Sequence, residues 1–385
     1  MTHGFERARF ASICGAAFLQ LFGGLAVAQP ADCAHCEEAA AIAARFELAE
    51  GGVPTRDRQG WAPPHKIVTM GGEKWARLLR AVAPTAEIVA VESPPDAVAA
   101  LPGADIYVGL CNAAIVEAGT DLRLIHMISA GADPCASDRA IAEQNILLTS
   151  SQGLHSPAVA DHAWALLLAA TRRLPAYGVQ QRRGVFDDPW ANARVVFDSG
   201  IPELEGRALL VVGLGGIGTE IARRGSGFGM HIRGTRNSGR EAPDFVEYVG
   251  LADETMALVA WADVVVNALP LTAQTRGLFD KNMFAAMKRT AVFVNVGRGE
   301  TVVTADLVAA LQNGVIAGAG LDVSDPEPLS PGHPLWNMPN VVLTPHMAAA
   351  SNSIERRLAV LALENVRRYA AGDRLLQVVE TRRGY

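Results

Sequence analysis

ALLVVGLGGIGTEIARRGSGFGMHIRGTR, residues 208–236, reads as a short apolar strand, a glycine-punctuated turn, a helix and a second strand. Ala208–Val212 is an uninterrupted apolar run, of the kind a parallel sheet buries on both faces. Gly213, Gly215 and Gly218 follow it in GxGxxG spacing. The first glycine of such a turn allows the tight bend, the second lets backbone come close to a pyrophosphate, and the third lets the following helix pack on its strand. That helix begins near Ile217, so the N–H groups around Gly216 and Ile217 face an anion. The pattern therefore predicts a dinucleotide site at the edge of a doubly wound parallel sheet.

The end of the second strand bears on the choice of dinucleotide. Sites that take NAD place a carboxylate there to accept from the ribose 2′-hydroxyl. Here Arg236 holds the place, and Thr235, Arg236, Asn237, Ser238 and Arg240 form a polar, cationic tip with no carboxylate before Glu241. Positive charge and hydrogen-bond donors suit a 2′-phosphate, so NADP(H) is expected to be preferred, with NAD(H) as the second choice.

With 385 residues, half of them hydrophobic, the chain can bury two ordinary cores. A net charge of −6 with no long basic block gives no support to a nucleic-acid partner. At the N-terminus, Arg7 and Arg9 precede an apolar run from Phe10 to Ala28 that ends in Ala26-Val27-Ala28 before Gln29. This has the outline of a secretory signal over residues 1–28, with export to the periplasm as its consequence. A membrane association follows only if the segment stays uncleaved, and a misassigned start would leave a cytoplasmic protein. An exported enzyme would also have to obtain its cofactor outside the cytoplasm. Beyond the signal, Cys33, Cys36, Cys111 and Cys135 are an even set that permits disulfides. Cys33-Ala34-His35-Cys36 has no second ligand pair to complete a metal site, so no metal is expected.

Residues 29–63, rich in Ala, Glu, Gly and Pro, read as an extension or linker. From His65 strands and helices alternate: Lys66–Met70, Glu87–Val91, Asp105–Leu110 and Leu124–Ile128 are β-like, with a helix over Trp75–Val82. A long apolar helix over Ala158–Thr171 leads to a polar, irregular stretch through Pro189. After the glycine turn come strands at Val264–Ala268, Val292–Val296, Ala317–Leu321 and Val341–Leu343, then a helix over Ser353–Ala371. Two Rossmann-like α/β domains result. Residues 64–157 and 350–385 form a substrate domain, interrupted by a dinucleotide domain over 158–349.

Three strand-end loops each bring one reactive side chain: Arg298 in NVGRG, Glu327 in LDVSDPEPL and His346 in LTPHMAAAS. Loops after the C-terminal ends of parallel strands face the ligand crevice. Arginine's fork can hold carboxylate and carbonyl oxygens together, histidine exchanges protons near neutrality, and a neighbouring carboxylate favours the imidazolium. The set suits reduction of a 2-oxo acid. His155 and His162 read as structural.

GLGGIG, LPLT at Leu269–Thr272, NVGRG, GLDVSDPEPL, HPLW at His333–Trp336 and TPH, in this order, resemble the D-isomer-specific 2-hydroxyacid dehydrogenase family over roughly residues 65–385. The resemblance implies transfer of a hydride between NAD(P)H and a small 2-oxo acid, with glyoxylate and hydroxypyruvate as candidates. It makes Arg298 the substrate-binding arginine and Glu327 and His346 the relay pair. Asp322 would contact the nicotinamide carboxamide, and Leu269, Pro270, Thr272, Val296 and Gly297 would line the cofactor. Backbone amides of the loop Ser129–Ala132, at Ala130 and Gly131, would hold the substrate carboxylate. A homodimer is also implied. The competing expectation is a non-catalytic protein on the same fold that senses dinucleotide or binds an organic acid.

Overall fold

A computed structural model describes residues 34–132, 135, 139–185 and 202–380. The expected signal over residues 1–28, Cys33 and the stretch around Pro189 lie outside them. Five parallel strands build the first sheet: β1 Lys66–Thr69, β2 Glu87–Ala90, β3 Ile106–Gly109, β4 Leu124–Met127 and β5 Leu147–Thr149, in the order β2-β1-β3-β4-β5. Seven parallel strands build the second: β6 Ala208–Val212, β7 His231–Thr235, β8 Tyr248–Gly250, β9 Val264–Asn267, β10 Val292–Asn295, β11 Gly318–Leu321 and β12 Val341–Leu343. Their order is β12-β11-β10-β9-β6-β7-β8, so the direction of winding reverses at β6, and a doubly wound sheet binds its ligand at that reversal.

Helices α1 Ala34–Arg45, α2 Gly72–Val82, α3 Pro94–Ala100, α4 Ala113–Ala118 and α5 Arg139–Glu143 accompany the first sheet in sequence. They are followed by α6 Ser156–Thr171, α7 Leu174–Arg183, α8 Gly216–Gly227, α9 Thr255–Trp261, α10 Lys281–Ala286, α11 Thr304–Gln312 and α12 Ile354–Ala371. The seven-stranded sheet is buried on both faces, which is why its strands read as continuous apolar runs. One face packs α6 and α8 through Val159, Ala163, Leu167, Ile221 and Ala222 against Leu209, Val211 and Val294. Asp161 ties the same two helices, its carboxylate 2.7 Å from Arg224 Nη2. The C-terminal helix α12 returns to the first sheet, where Leu358, Leu361, Ala362 and Val366 pack with Ile67, Ile106, Val108 and Leu124.

Two expectations are corrected. Within the described part of 29–63 the chain is a packed element, because Leu48 and Thr55 are buried and Arg56 pairs with Asp373 at 2.5 Å. Trp61 Nε1 also donates to the Tyr369 carbonyl at 3.0 Å, so this segment clasps the end of α12. The stretch read as irregular after Thr171 contains α7, with Pro175 in its first turn and Gly184 (φ 65°) closing it. Its sequence lacks an apolar stripe because it buries none of its residues. Strands β5 and β8, three residues each, are edge strands absent from the sequence reading.

Candidate active site

The glycine turn after β6 has the shape its spacing predicts. Gly213 sits at φ +100°, where a Cβ would also press on Ala268 at 3.1 Å. At Gly218 a Cβ would come within 2.0 Å of the Gly213 carbonyl, so α8 packs onto the turn as no side chain would allow. Gly215 faces open space, with nothing within 4 Å of its would-be Cβ, and it caps α8 without a side-chain partner. Backbone bared at a helix N-terminus fits a pyrophosphate. Thr235 is buried, and its hydroxyl accepts from the Gly213 N–H at 3.2 Å, tying β7 to the turn.

The strands that follow bring the other loops to the same edge. Asn267 and Asn295 end β9 and β10 and are fully buried. Asn267 Nδ2 donates to Asn295 Oδ1 (3.0 Å) and to Thr301 Oγ1 (2.7 Å), while its own Oδ1 accepts from the Leu269 N–H. Asn295 Oδ1 accepts from the Gly297 N–H at 3.1 Å, and its Nδ2 donates to the Arg298 carbonyl at 3.2 Å. One buried amide ladder thus fixes both the LPLT loop and the arginine loop. Gly297 lets them touch, since a Cβ there would lie 2.7 Å from the Leu269 carbonyl. Val296 is a core side chain, leaving only its backbone for a ligand, and Thr272 and Thr275 hydroxyls 3.1 Å apart close the turn after Pro270.

Arg298 is half-buried, with Nη1 donating to its neighbour's carbonyl at 3.0 Å. Its loop is pressed against that of Glu327, because a Cβ on Gly299 would overlap the Ser324 carbonyl at 1.9 Å. Glu327 Oε1 in turn lies 2.6 Å from His346 Nδ1. Both side chains are nearly half-exposed, 42% and 47%, so solvent screens the ion pair and its main effect is to orient the imidazole. With Nδ1 directed at the carboxylate, Nε2 is the nitrogen placed to exchange a proton. His346 itself stands at φ +54°. Arg298, Glu327 and His346 thus follow the adjacent strands β10, β11 and β12.

The profile of the D-isomer specific 2-hydroxyacid dehydrogenase NAD binding domain matches residues 164–348. A glyoxylate reductase of Korarchaeum cryptofilum is 37% identical over 268 residues, which are 68% of this chain and 77% of the relative. The chain belongs to the D-isomer specific 2-hydroxyacid dehydrogenase family. The glyoxylate reductase/hydroxypyruvate reductase of Mus musculus is 37% identical over 253 residues, 65% of this chain and 74% of that one. Among solved structures, an NADPH-dependent glyoxylate/hydroxypyruvate reductase of Sinorhizobium meliloti, in complex with NADP and sulfate, superposes with a TM-score of 0.70 at 27% identity. It covers 83% of this chain and all of that one. This dehydrogenase is therefore an NAD(P)-dependent oxidoreductase acting between 2-oxo and 2-hydroxy acids, and reductase relatives do not favour the non-catalytic alternative.

Two further residues of the dehydrogenase differ from the sequence expectation in what they touch. Arg236 is not an open cation: Nε and Nη2 donate to the Leu214 carbonyl at 3.0 and 2.7 Å, and Nη1 donates to the Glu241 carbonyl at 2.8 Å. The guanidinium braces the glycine turn and offers its remaining N–H groups beside it. Arg240 is paired with Glu254 at 2.6 Å, which offsets part of the positive tip. Asp322, 2% exposed, spends its carboxylate on the histidine loop. Oδ1 accepts from Thr344 Oγ1 (2.7 Å) and the Met347 N–H (2.9 Å), and Oδ2 accepts from the Ala348 N–H (2.9 Å). The His346 N–H donates to the Asp322 carbonyl at 2.8 Å.

His162, read from sequence as structural, belongs to this network, with Nε2 2.8 Å from Thr344 Oγ1 and 3.3 Å from Asp322 Oδ1. Its signal was available only as a histidine on a largely apolar helix. His155 sits where the two sheets meet: Nε2 lies 3.2 Å from the Ile128 carbonyl, just before Ser129, and Nδ1 is buried without a partner. Burial lowers its pKa, the Ile128 carbonyl opposing and Arg357 reinforcing that shift. In the loop Ser129–Ala132, Ser129 Oγ donates to the Gly131 carbonyl at 2.9 Å, and Ala130 and Gly131 are half-buried. Among the described residues His35, Cys36 and Glu364 cluster, but Cys36 is disulfide-bonded and Glu364 is held by Arg367 and Arg368.

Proposed function

We propose that this dehydrogenase is an NADPH-preferring reductase of short 2-oxo acids, of the glyoxylate and hydroxypyruvate class, yielding D-2-hydroxy acids. The observation that carries the proposal is the 2.6 Å contact of Glu327 with His346 on strand ends adjacent to that of Arg298. The glycine turn, Arg236 and the Leu269–Thr272 loop are the residues that would hold the dinucleotide, which when bound supplies the hydride to the carbonyl carbon. Arg298 clamps the carboxylate and carbonyl oxygens of the substrate, and the Ala130 and Gly131 N–H groups take the outer carboxylate oxygen. As negative charge gathers on the carbonyl oxygen, His346 donates its Nε2 proton, and Glu327 supports the imidazolium from which it comes.

Arg236 supports the NADPH preference by placing donors beside the glycine turn. The chain is further proposed to work as a homodimer through α7, where Leu174, Tyr177 and Val179 are exposed among the described residues. It is proposed to be exported by the segment 1–28. Purified protein assayed with NADPH and NADH on a panel of 2-oxo acids tests the activity: glyoxylate or hydroxypyruvate with NADPH should give the highest kcat/KM. Light scattering checks the dimer, and mass spectrometry of the mature protein should find Gln29 at the N-terminus. Turnover confined to NADH, a monomer, or retained Met1 would each remove the corresponding part.

A further inference from the structure

The loop proposed to receive the substrate carboxylate is fastened at both ends to one short step of chain at the end of β3. At its entry the Ile128 N–H donates to the Gly109 carbonyl at 3.2 Å, and the Ser151 N–H holds the Ser129 carbonyl at 3.0 Å. At its exit the Cys135 N–H donates to the Ala132 carbonyl at 3.0 Å, and Cys135 is disulfide-bonded to Cys111, two residues beyond Gly109. Ala132, Cys111 and Cys135 are all buried, so the bond sits inside the core of this sheet face, under the loop. Between the two fastenings, the Ser129 hydroxyl braces the loop by donating to the Gly131 carbonyl.

We infer that the Cys111–Cys135 bond is a positioning element for substrate binding: it holds the Ala130 and Gly131 N–H groups in the carboxylate-receiving conformation. The inference rests on the assignment of that loop to the substrate carboxylate. Glycine and alanine carry little side-chain packing of their own, so the loop's conformation depends on its ends. Releasing one end restores backbone freedom that binding must remove again, and the loss falls on the anion alone. Among the described residues, the hydrogen bonds and the disulfide of this arrangement do not involve the glycine turn, so dinucleotide affinity is expected to be independent of it. The same bond makes an oxidising compartment the natural setting of the full-affinity enzyme.

The test uses the NADPH complex of the full chain and oxalate, a non-reducible dicarboxylate, as the probe. Titration calorimetry compares wild type, Cys111→Ala/Cys135→Ala, and wild type opened by a phosphine reductant. That reductant converts the S–S bond to two thiols while taking oxygen from water to become the phosphine oxide. Alkylation mass spectrometry verifies the bond in each sample, and Cys33→Ala/Cys36→Ala serves as the control for the other cysteines. The expected result is that oxalate Kd and glyoxylate KM rise about five- to thirtyfold in the opened and doubly substituted proteins, while NADPH Kd changes by less than about twofold. NADPH affinity also reports that each variant is folded. Unchanged oxalate affinity, or equal weakening of oxalate and NADPH, overturns the inference. Wild type that binds oxalate but turns over no 2-oxo acid would sink the reductase assignment while leaving the loop comparison readable. Wild type that does neither sinks both.

Discussion

Replacing Asp322 by Asn isolates the element on which the geometry of His346 depends. The buried carboxylate accepts three hydrogen bonds, two at Oδ1 and one at Oδ2, all from the segment that carries His346. An amide has one acceptor oxygen, so whichever way it turns its NH2 group meets at least one inward-pointing donor. The change removes a charge-assisted bond and leaves a buried N–H without an acceptor, together about 2–4 kcal/mol. In a chain of this size that lowers the melting point by roughly 2–5 °C. Because a displacement of about one ångström at reacting groups costs about a hundredfold in rate, kcat should fall by about that factor. Steady-state assays with hydroxypyruvate, NADPH fluorescence titration and calorimetry measure the three quantities. A cofactor affinity within about threefold of wild type is expected, because the carboxylate is spent on the loop. Wild-type kcat and melting point would refute the reasoning, and so would a large loss of NADPH affinity with kcat intact, which would make Asp322 a cofactor contact and nothing more.

His346→Gln keeps a polar side chain but cannot exchange the proton, so kcat should drop about a thousandfold with NADPH binding retained; a loss of less than about tenfold in stopped-flow turnover contradicts its role. Arg298→Lys keeps the charge but loses the planar fork, and should raise KM for the 2-oxo acid by at least about tenfold while NADPH Kd holds; equal KM values count against the clamp. His162→Leu removes the brace on Thr344 and should lower kcat several-fold with KM unchanged, whereas His162→Gln, which can still donate, should recover most of it. Burial takes the fully enclosed His126 imidazole down to about 3, below its unfolded value of about 6.5, so protonation favours the unfolded chain. Stability is then full above pH of about 6.5 and declines as pH falls toward 3, by up to about 1.4 kcal/mol per unit. Urea midpoints should fall with acid more steeply in wild type than in His126→Gln, and parallel slopes would contradict this.

What the sequence made legible were features with local signatures. β6, its three glycines and α8 announce themselves because one strand, one positive-φ turn and one close helix approach each demand a residue type at a fixed spacing. Arg298, Glu327 and His346 were legible because each follows an apolar strand of the same sheet, and parallel strands deliver their following loops to one edge. Partnerships made at a distance were not legible. Arg236 reads as a free cation until Leu214, twenty-two residues away, is seen to offer its carbonyl. The Asn267–Asn295 ladder could have been suspected from VVVN and VFVN, two valine-rich strands ending in a residue that burial tolerates only with partners. Helix α7 was missed because amphipathic spacing reports burial, and α7 buries none of its residues among the described ones. The Cys111–Cys135 pairing was one of several that four cysteines allow, and only the adjacency of β3 and β4 selects it.

The central claim is that a 2-oxo acid is reduced by hydride from the dinucleotide and a proton from His346, in a site formed by Arg298, Glu327 and His346. Hydroxypyruvate incubated with the enzyme and NADPH deuterated at the transferred position tests it directly, with the product resolved by chiral chromatography and mass spectrometry. The expected product is D-glycerate carrying one deuterium at its new carbinol carbon. L-Glycerate, a racemic product, or glycerate without the label would contradict the account.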